Sequence, residues 1–273
     1  VLARYALERL LYRLSVSPHR ERFLLKGALL FAVWGVDDHR PTRDADLLGY
    51  GNSDPAALVA VFREVCAVEC EDGIAFDADS VAAASIAEDK VYPGVRVTLR
   101  AELSGARIPV QIDVGFGDAV TPGPEPVDYP VLLDAPVPRL RAYPVATVVA
   151  EKFHAITVLG PDNSRMKDFF DLWVLAKHSG FDGPVLLLAV AATFERRRTA
   201  VPQGIPIGLS DEFINDAQKE KQWQAFLRKN ALEPMPLAVV IADLREFLLP
   251  VLATILAHGS LDTDWRAGEG WRS

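Results

Sequence analysis

Residues 40–51, RPTRDADLLGYG, constrain the fold of this chain more than any other stretch. They place two carboxylates, Asp44 and Asp46, on either side of a single alanine within an otherwise apolar run. Because like charges repel and a buried carboxylate is costly unless it is neutralised, this segment needs a cation nearby. Alternation with a period of two predicts a short strand on which both carboxylates share one face.

A third carboxylate, Asp113, falls in the second half of a predicted β-hairpin. The stretches VRVTLRAEL and IPVQIDVGFGD both alternate, and they flank a turn at Ser104-Gly105. Aspartate is disfavoured in the middle of a strand, so Asp113 calls for an explanation. Oxygen ligands from neighbouring strands are what Mg²⁺ prefers, and we therefore predict a magnesium site at Asp44, Asp46 and Asp113. A D-x-D pair alone is also common on ordinary surface strands.

The remaining segments predict an α+β fold. We expect a helix in VLARYALERLLYRL, a second and more buried helix in RFLLKGALLFAVWG, and a third after Asp54-Pro55. Residues 121–138 are rich in proline and acidic residues, which is typical of a surface connection. Four further helices are predicted, in YPVATVVAEKFHAITVL, SRMKDFFDLWVLAKHSG and GPVLLLAVAATFERRR and over residues 236–257.

This pattern suggests two domains. Residues 1–140 would form a core with a short mixed sheet, and residues 141–273 would form a mostly α-helical half. No apolar run approaches the roughly 20 residues of a membrane span, and the first residues lack the layout of a signal peptide. We therefore expect a cytoplasmic protein with no membrane partner.

The chain is acidic, with a formal net charge of −8. That balance disfavours broad affinity for nucleic acid but leaves room for a local basic groove. The candidate phosphate contacts are Arg196, Arg197, Arg198, Lys219, Lys221, Arg228 and Lys229. Cys66 and Cys70 have no histidine near them in the sequence to complete a zinc site, and we interpret them as buried thiols.

Five stretches resemble the AbiEii/AbiGii-type toxins of the polymerase-β-like nucleotidyltransferase superfamily. They are FLLKGALLFAVW, RPTRDADLLGYG, IPVQIDVGFGD, VVAEKFHAI and SRMKDFFDLWVL, in the family's order and spacing. The resemblance implies a nucleotidyltransferase core, a helical half that completes the active-site cleft, and Mg²⁺ and an NTP as cofactors. It also implies a toxin–antitoxin pair with a cognate antitoxin, and tRNA modification at the 3′ acceptor end.

The resemblance also implies roles for single residues. Asp44, Asp46 and Asp113 would be catalytic metal ligands, and Lys152 and Asp171 would complete the catalytic set. Nucleotide-binding roles would fall to Lys26, Gly27, Thr42, Arg43, Lys167 and Asp168. The family usually has Gly-Gly or Gly-Ser at residues 27 and 28, whereas this chain has Gly27-Ala28. A hydroxyl contact to phosphate is therefore missing.

Three functions stay open at this point. The leading one is transfer of NMP from an NTP to RNA, an activity of the EC 2.7.7 class. The second is the same chemistry on a small-molecule or protein hydroxyl. The third is a nucleotide-binding module without turnover. Lys167/Asp171 and Arg165/Asp168 also have the spacing of simple helical salt bridges.

Overall fold

The chain forms a mixed α/β structure with a seven-stranded mixed sheet. The structure is a computed structural model that describes residues 1–36, 40–89 and 92–273. The described residues form two compact units. The first comprises Val1–Asp37, Thr42–Asp118 and Pro124–Tyr143, and the second comprises Asp38–Pro41, Ala119–Gly123 and Pro144–Ser273.

The first unit contains the large sheet. Its strands are β1 (Phe23–Lys26), β2 (Asp44–Gly49), β3 (Ile74–Asp89), β4 (Tyr92–Leu103), β5 (Ala106–Phe116), β6 (Glu125–Asp128) and β7 (Arg139–Ala142). Their order is β3-β4-β5-β2-β1-β7-β6, with β2/β5 and β1/β7 parallel and the other neighbours antiparallel. Its helices are α1 (Leu2–Val16), α2 (Leu30–Val33) and α3 (Pro55–Cys66), with short 3₁₀ turns at Arg20–Arg22 and Gly27–Leu29.

The predicted second helix, RFLLKGALLFAVWG, is wrong in its first half. Phe23, Leu24 and Leu25 lie in β1, which pairs with β2 on one side and β7 on the other. Gly27 then adopts a φ of +71° and starts the 3₁₀ turn that leads into α2. A short, fully apolar run is compatible both with a buried helix and with a strand in the middle of a covered sheet, so periodicity alone does not separate them.

The predicted hairpin is confirmed. Ser104 and Gly105 have φ values of 50° and 81°, as a two-residue hairpin turn requires, and they pair Leu103 with Ala106. Along β5 the buried side chains of Val110, Ile112 and Val114 occupy one face of the sheet, and α1 contacts this strand. The opposite face of β5 carries its polar residues, among them Asp113.

Residues 121–138 are more than the surface connection that their composition predicted. They contain β6, which pairs antiparallel with β7 at the edge of the sheet. The following Tyr129 is only 1% exposed. The backbone N–H of Leu132 donates to the buried carboxylate of Glu8 at 2.7 Å. The segment is therefore held against α1, and its prolines are tolerated because β6 is an edge strand.

The second unit is mainly helical. Its helices are α4 (Val145–Leu159), α5 (Met166–His178), α6 (Gly183–Arg196), α7 (Asp211–Asn215), α8 (Ala217–Lys229) and α9 (Leu237–Leu256), and the four that were predicted are present. A two-stranded sheet of β8 (Asp264–Arg266) and β9 (Gly270–Arg272) contacts α9. The core forms where α4 packs on α5 and α6, and where α9 packs on the same two helices. Among the described residues, no helix has both the length and the apolarity that crossing a membrane demands.

Candidate active site

The three aspartates predicted to bind metal lie on two adjacent strands of the first unit. Asp44 and Asp46 are on β2, and the parallel register sets Asp46 directly opposite Asp113 on β5. Directly paired residues share a face of the sheet, and the two-residue period puts Asp44 on that same face. Asp44 and Asp46 are partly buried, whereas Asp113 is 6% exposed. All three carboxylates therefore belong to one side of the sheet.

One cationic side chain lies directly opposite Asp113 in the sheet, and another lies directly opposite Asp46. Arg96 on β4 is directly opposite Asp113 and binds it through two hydrogen bonds, Nε to Oδ1 at 2.8 Å and Nη2 to Oδ2 at 2.7 Å. Lys26 on β1 is opposite Asp46, and its Nζ donates to Asp118 at 2.9 Å. The order of charges across the four strands is positive, negative, negative, positive. This arrangement offsets the repulsion between the two central carboxylates.

Thr42 and Gly27 fix the two carboxylates of β2. The Thr42 hydroxyl donates to Asp44 Oδ1 at 2.7 Å. Gly27 has a positive φ, and a Cβ at this position would lie 2.8 Å from the Cβ of Asp46 and collide with its carboxylate. Only glycine satisfies both conditions. Ala28 is buried and carries no hydroxyl that could contact a phosphate.

The donor chemistry of this face suits Mg²⁺, because Asp44 and Asp46 offer hard carboxylate oxygens side by side. The arrangement of Asp113 differs. Both of its oxygens accept from Arg96, so Arg96 competes with a metal ion or a hydroxyl for Asp113. In the described part of the chain, no group of three His, Cys, Asp or Glu side chains is already arranged to hold a metal ion.

The other predicted catalytic residues form a buried ion cluster in the second unit. Lys152 on α4 places its Nζ 2.7 Å from Asp171 and 3.0 Å from Asp168, both on α5. Arg40 donates to both oxygens of Asp171, each at 2.9 Å. Arg165 Nε lies 2.8 Å from Asp168 Oδ2, although it is not aligned to donate a hydrogen bond there. Three cations thus surround two carboxylates that are 1% and 0% exposed.

The charges in this cluster support one another. Burial acts to raise the pKa of Asp171, but Lys152 and Arg40 outweigh it and hold the pKa at about 2. Burial likewise opposes ionisation of Asp168, and Lys152 and Arg165 still hold its pKa below the usual value. Burial acts to lower the pKa of Lys152, and Asp171 and Asp168 raise it instead. All three groups are therefore charged at neutral pH.

Two predicted nucleotide-binding residues lie apart from these contacts. Lys167 is exposed, and no described residue forms an ion pair with it, so the helical pair with Asp171 is absent while the Arg165/Asp168 pair is present. Arg43 is exposed and lines a cavity of about 960 Å³ in the first unit. None of the three aspartates is among the described residues that line this cavity.

Several residues predicted for other roles are now located. Lys219 is buried and donates to the backbone oxygen of Asn163 at 3.0 Å, so its predicted contact with RNA phosphates is wrong. Arg197 lies 3.4 Å from Glu151. Cys66 is buried, and burial raises the pKa of its thiol to about 12. Cys70 is free and partly buried.

Sequence reasoning missed three charged residues of these sites: Arg96, Arg40 and Asp118. The hairpin could have identified Arg96, because its two-residue turn sets the register of both strands. Arg40 and Asp171 are 131 residues apart, and no local pattern links them.

Comparison with known proteins gives one family and two solved structures. The family described as "Nucleotidyl transferase AbiEii toxin, Type IV TA system" matches residues 9–250. JHP933 from Helicobacter pylori is similar in fold, with a TM-score of 0.55 and 13% identity, over 94% of this chain and 93% of that one. An H. pylori protein described as a candidate nucleotidyltransferase has a TM-score of 0.53 and 13% identity, over 95% of this chain and 97% of that one. Curated protein sequences contain no significant match.

Proposed function

The chain belongs to the AbiEii family of nucleotidyltransferase toxins of type IV toxin–antitoxin systems, and from that premise we propose that it transfers NMP from an NTP to RNA. The proposed acceptor is the 3′ end of tRNA, the proposed cofactor is Mg²⁺, and the activity is of the EC 2.7.7 class. The observation that carries the proposal is the row of Asp44, Asp46 and Asp113 on one face of the sheet. We further propose that the toxin acts in the cytoplasm and has a cognate antitoxin.

The reaction assigns tasks to all three aspartates. A hydroxyl oxygen of the acceptor forms a bond to the α-phosphorus of the NTP while the bond from that phosphorus to the leaving pyrophosphate breaks. The proton of the attacking hydroxyl passes to Asp113, which acts as general base. Asp44 and Asp46, together with Asp113, would hold Mg²⁺, which supplies positive charge to the reacting phosphates when bound.

Arg96 has a defined place in this scheme. Asp113 accepts a proton only from a hydroxyl within hydrogen-bonding reach, and Arg96 competes for both of its oxygens. The Arg96 side chain is 43% exposed, so it is able to turn away without leaving an interior position. Thr42 meanwhile holds Asp44 by a hydrogen bond, and the missing Cβ of Gly27 leaves room for Asp46.

For the second unit we propose a role in positioning the nucleotide. Lys152, Arg40 and Arg165 outnumber Asp168 and Asp171 by one charge, so the cluster keeps a positive excess. A positive excess at fixed positions favours the negative triphosphate. We propose Lys152 as the residue that supplies this charge, with Asp168 and Asp171 holding its ammonium group in place. Lys26 and Arg43 remain proposed residues for binding the NTP, and Lys167 remains a proposed residue for binding a nucleotide of the NTP or of the acceptor.

Incubation of the protein with each labelled NTP, Mg²⁺ and total tRNA tests this function. We expect one or more labels to enter tRNA. The Asp44→Asn variant should lower the rate at least about a thousandfold, since ligands of a catalytic metal stabilise the transition state by several kcal/mol. An exposed carboxylate of the same unit provides the control, and Glu64→Gln should leave transfer unchanged.

The other functions predict different outcomes of that experiment. Label that enters a small molecule or a protein, but not tRNA, would establish the same chemistry on another hydroxyl. NTP binding with no transfer to any acceptor would establish a nucleotide-binding module. Either outcome contradicts the proposed RNA substrate.

A further inference from the structure

A cavity in the second unit concentrates positive charge within an acidic protein. Its volume is about 540 Å³, and its described lining residues are Arg40, Ser164, Arg165, Met166, Lys167, Gln222, Ala225, Phe226, Lys229 and Asn230. Four of these residues are basic and none is acidic, although the chain has a net charge of −8. Arg40 and Arg165 are paired with Asp171 and Asp168, so Lys167 and Lys229 supply the excess positive charge, and a concave surface with an excess of one sign focuses the electric field. The cavity therefore favours an anionic ligand.

The basic side chains come from different elements around the cavity. Arg165 and Lys167 flank the start of α5, and Lys229 is the last residue of α8. Lys167 and Lys229 are exposed, and the Arg165 side chain is 43% exposed. The positive end of the helix dipole of α5, a helix of 13 residues, adds to their field. Charges spread in this way suit phosphates along a strand better than a single ion.

The uncharged lining adds groups that recognise a base. Phe226 is partly exposed, and its ring stacks on Trp223 with centroids 5.6 Å apart, which limits its motion. The Oε1 atom of Gln222 is buried, and no described residue donates a hydrogen bond to it. A base could stack on Phe226 and donate an amino hydrogen to Gln222. Neither group would contribute to binding a bare phosphate ion.

We propose that this cavity binds one nucleotide of the single-stranded end of an acceptor RNA. Its phosphates would lie against Arg165, Lys167 and Lys229, and its base would lie on Phe226. This inference rests on the proposed function and identifies where the acceptor is held. An NTP carries similar groups, but it arrives with Mg²⁺, and no described lining residue is a carboxylate that could bind that ion. The strand is therefore the better ligand.

Fluorescence anisotropy with a labelled single-stranded RNA tests the cavity. The measurements use the Asp44→Asn protein, so that binding is observed without turnover and the result does not depend on whether transfer occurs. Lys229→Gln should weaken binding about fivefold and lower the slope of log K against log salt by about 0.7, as loss of one phosphate contact on a single strand predicts. The control is Lys177→Gln, an exposed lysine near the end of α5 in the same unit that is not among the described residues lining the cavity.

A second variant tests stacking of the base. Phe226→Leu keeps an apolar side chain in the packing with Trp223 but removes the ring, and it should weaken RNA binding about fivefold or more. A series of RNAs, each lacking one base, should then be compared with and without Phe226→Leu. The RNA that lacks the stacked base should bind equally well to both proteins. Thermal unfolding of each variant separates loss of binding from loss of fold.

Two results would overturn the proposal. Equal weakening by Lys229→Gln and Lys177→Gln would mean that only overall charge matters. The second such result is that Mg-NTP competes more strongly than unlabelled RNA and that Phe226→Leu abolishes this competition. It would assign the cavity to the donor nucleotide.

Discussion

The carboxylate row of the first unit and the ion cluster of the second unit neutralise buried acids in different ways. In the row, Asp113 has one cationic partner, Arg96, which is 43% exposed. In the cluster, Asp171 is 0% exposed and is bound by two cations, Lys152 and Arg40. The row can therefore change partners at low cost, whereas the cluster cannot.

This difference indicates a division of labour. A carboxylate that accepts a proton or binds a metal ion must be able to release the partner that it has at rest. A group that only supplies a fixed charge works best when its partners prevent motion. We therefore infer that chemistry takes place at the row and that the cluster provides a fixed positive charge. The following variants test that contrast, from the largest expected change to the smallest.

Lys152→Met should destabilise the protein by about 3–5 kcal/mol, because it leaves two buried carboxylates short of one cation. Urea denaturation measures this change. The matched control is Lys177→Met, which breaks a half-exposed pair with Asp243 and should cost at most about 1 kcal/mol. Equal losses from the two variants would show that the buried cluster is no more important to stability than a surface pair.

Gly27→Ala should destabilise the first unit by about 2–4 kcal/mol, since it combines a left-handed φ with a collision at Asp46. Gly51→Ala separates the two causes, because Gly51 also has a positive φ but has no atom within 4 Å of an added Cβ. We expect Gly51→Ala to cost about 1 kcal/mol. If the two variants lose the same amount, the contact between Gly27 and Asp46 does not matter.

Acid should weaken the cluster through Asp171. Its pKa is about 2 in the folded protein against a usual value of 3.8, so its ionised form favours the folded state above pH 4. That contribution, on the order of 2 kcal/mol, is lost as the pH falls from about 4 to about 2. The free energies of unfolding of the wild type and of Asp171→Asn should therefore converge over this range. Parallel pH profiles would contradict the assignment.

Arg96→Gln should have the smallest effect on stability of these four changes, about 1–2 kcal/mol, because the arginine is partly solvated although Asp113 is buried. It should lower the Mg²⁺ concentration needed for half-maximal transfer, since Asp113 no longer has to leave a cationic partner. Arg100→Gln provides the control, because Arg100 is on the same strand but pairs with the exposed Asp77. An unchanged Mg²⁺ requirement would mean that Arg96 does not compete for Asp113.

The parts of these sites that could be predicted are those fixed by local rules. Alternation along β2 was enough to put Asp44 and Asp46 on one face. The turn at Ser104-Gly105 pairs Leu103 with Ala106, and counting seven residues outward on each strand puts Arg96 opposite Asp113. This contact was therefore available from the sequence and was missed.

Other features depend on tertiary contacts that no local rule reports. Phe23–Lys26 form a strand because β2 and β7 pair with this segment on both sides. Its apolar sequence is equally compatible with a buried helix. Arg40 reaches Asp171 across 131 residues of chain. Lys219 looked like a surface charge, yet it is buried by its contacts with Asn163 and Phe213.

The most direct test of the division of labour is to measure transfer and stability together in Asp44→Asn. We predict that transfer of label from NTP to tRNA falls at least about a thousandfold while the free energy of unfolding changes by less than about 1 kcal/mol. Transfer at the wild-type rate would contradict the account, because the carboxylate row would then not be where the chemistry occurs.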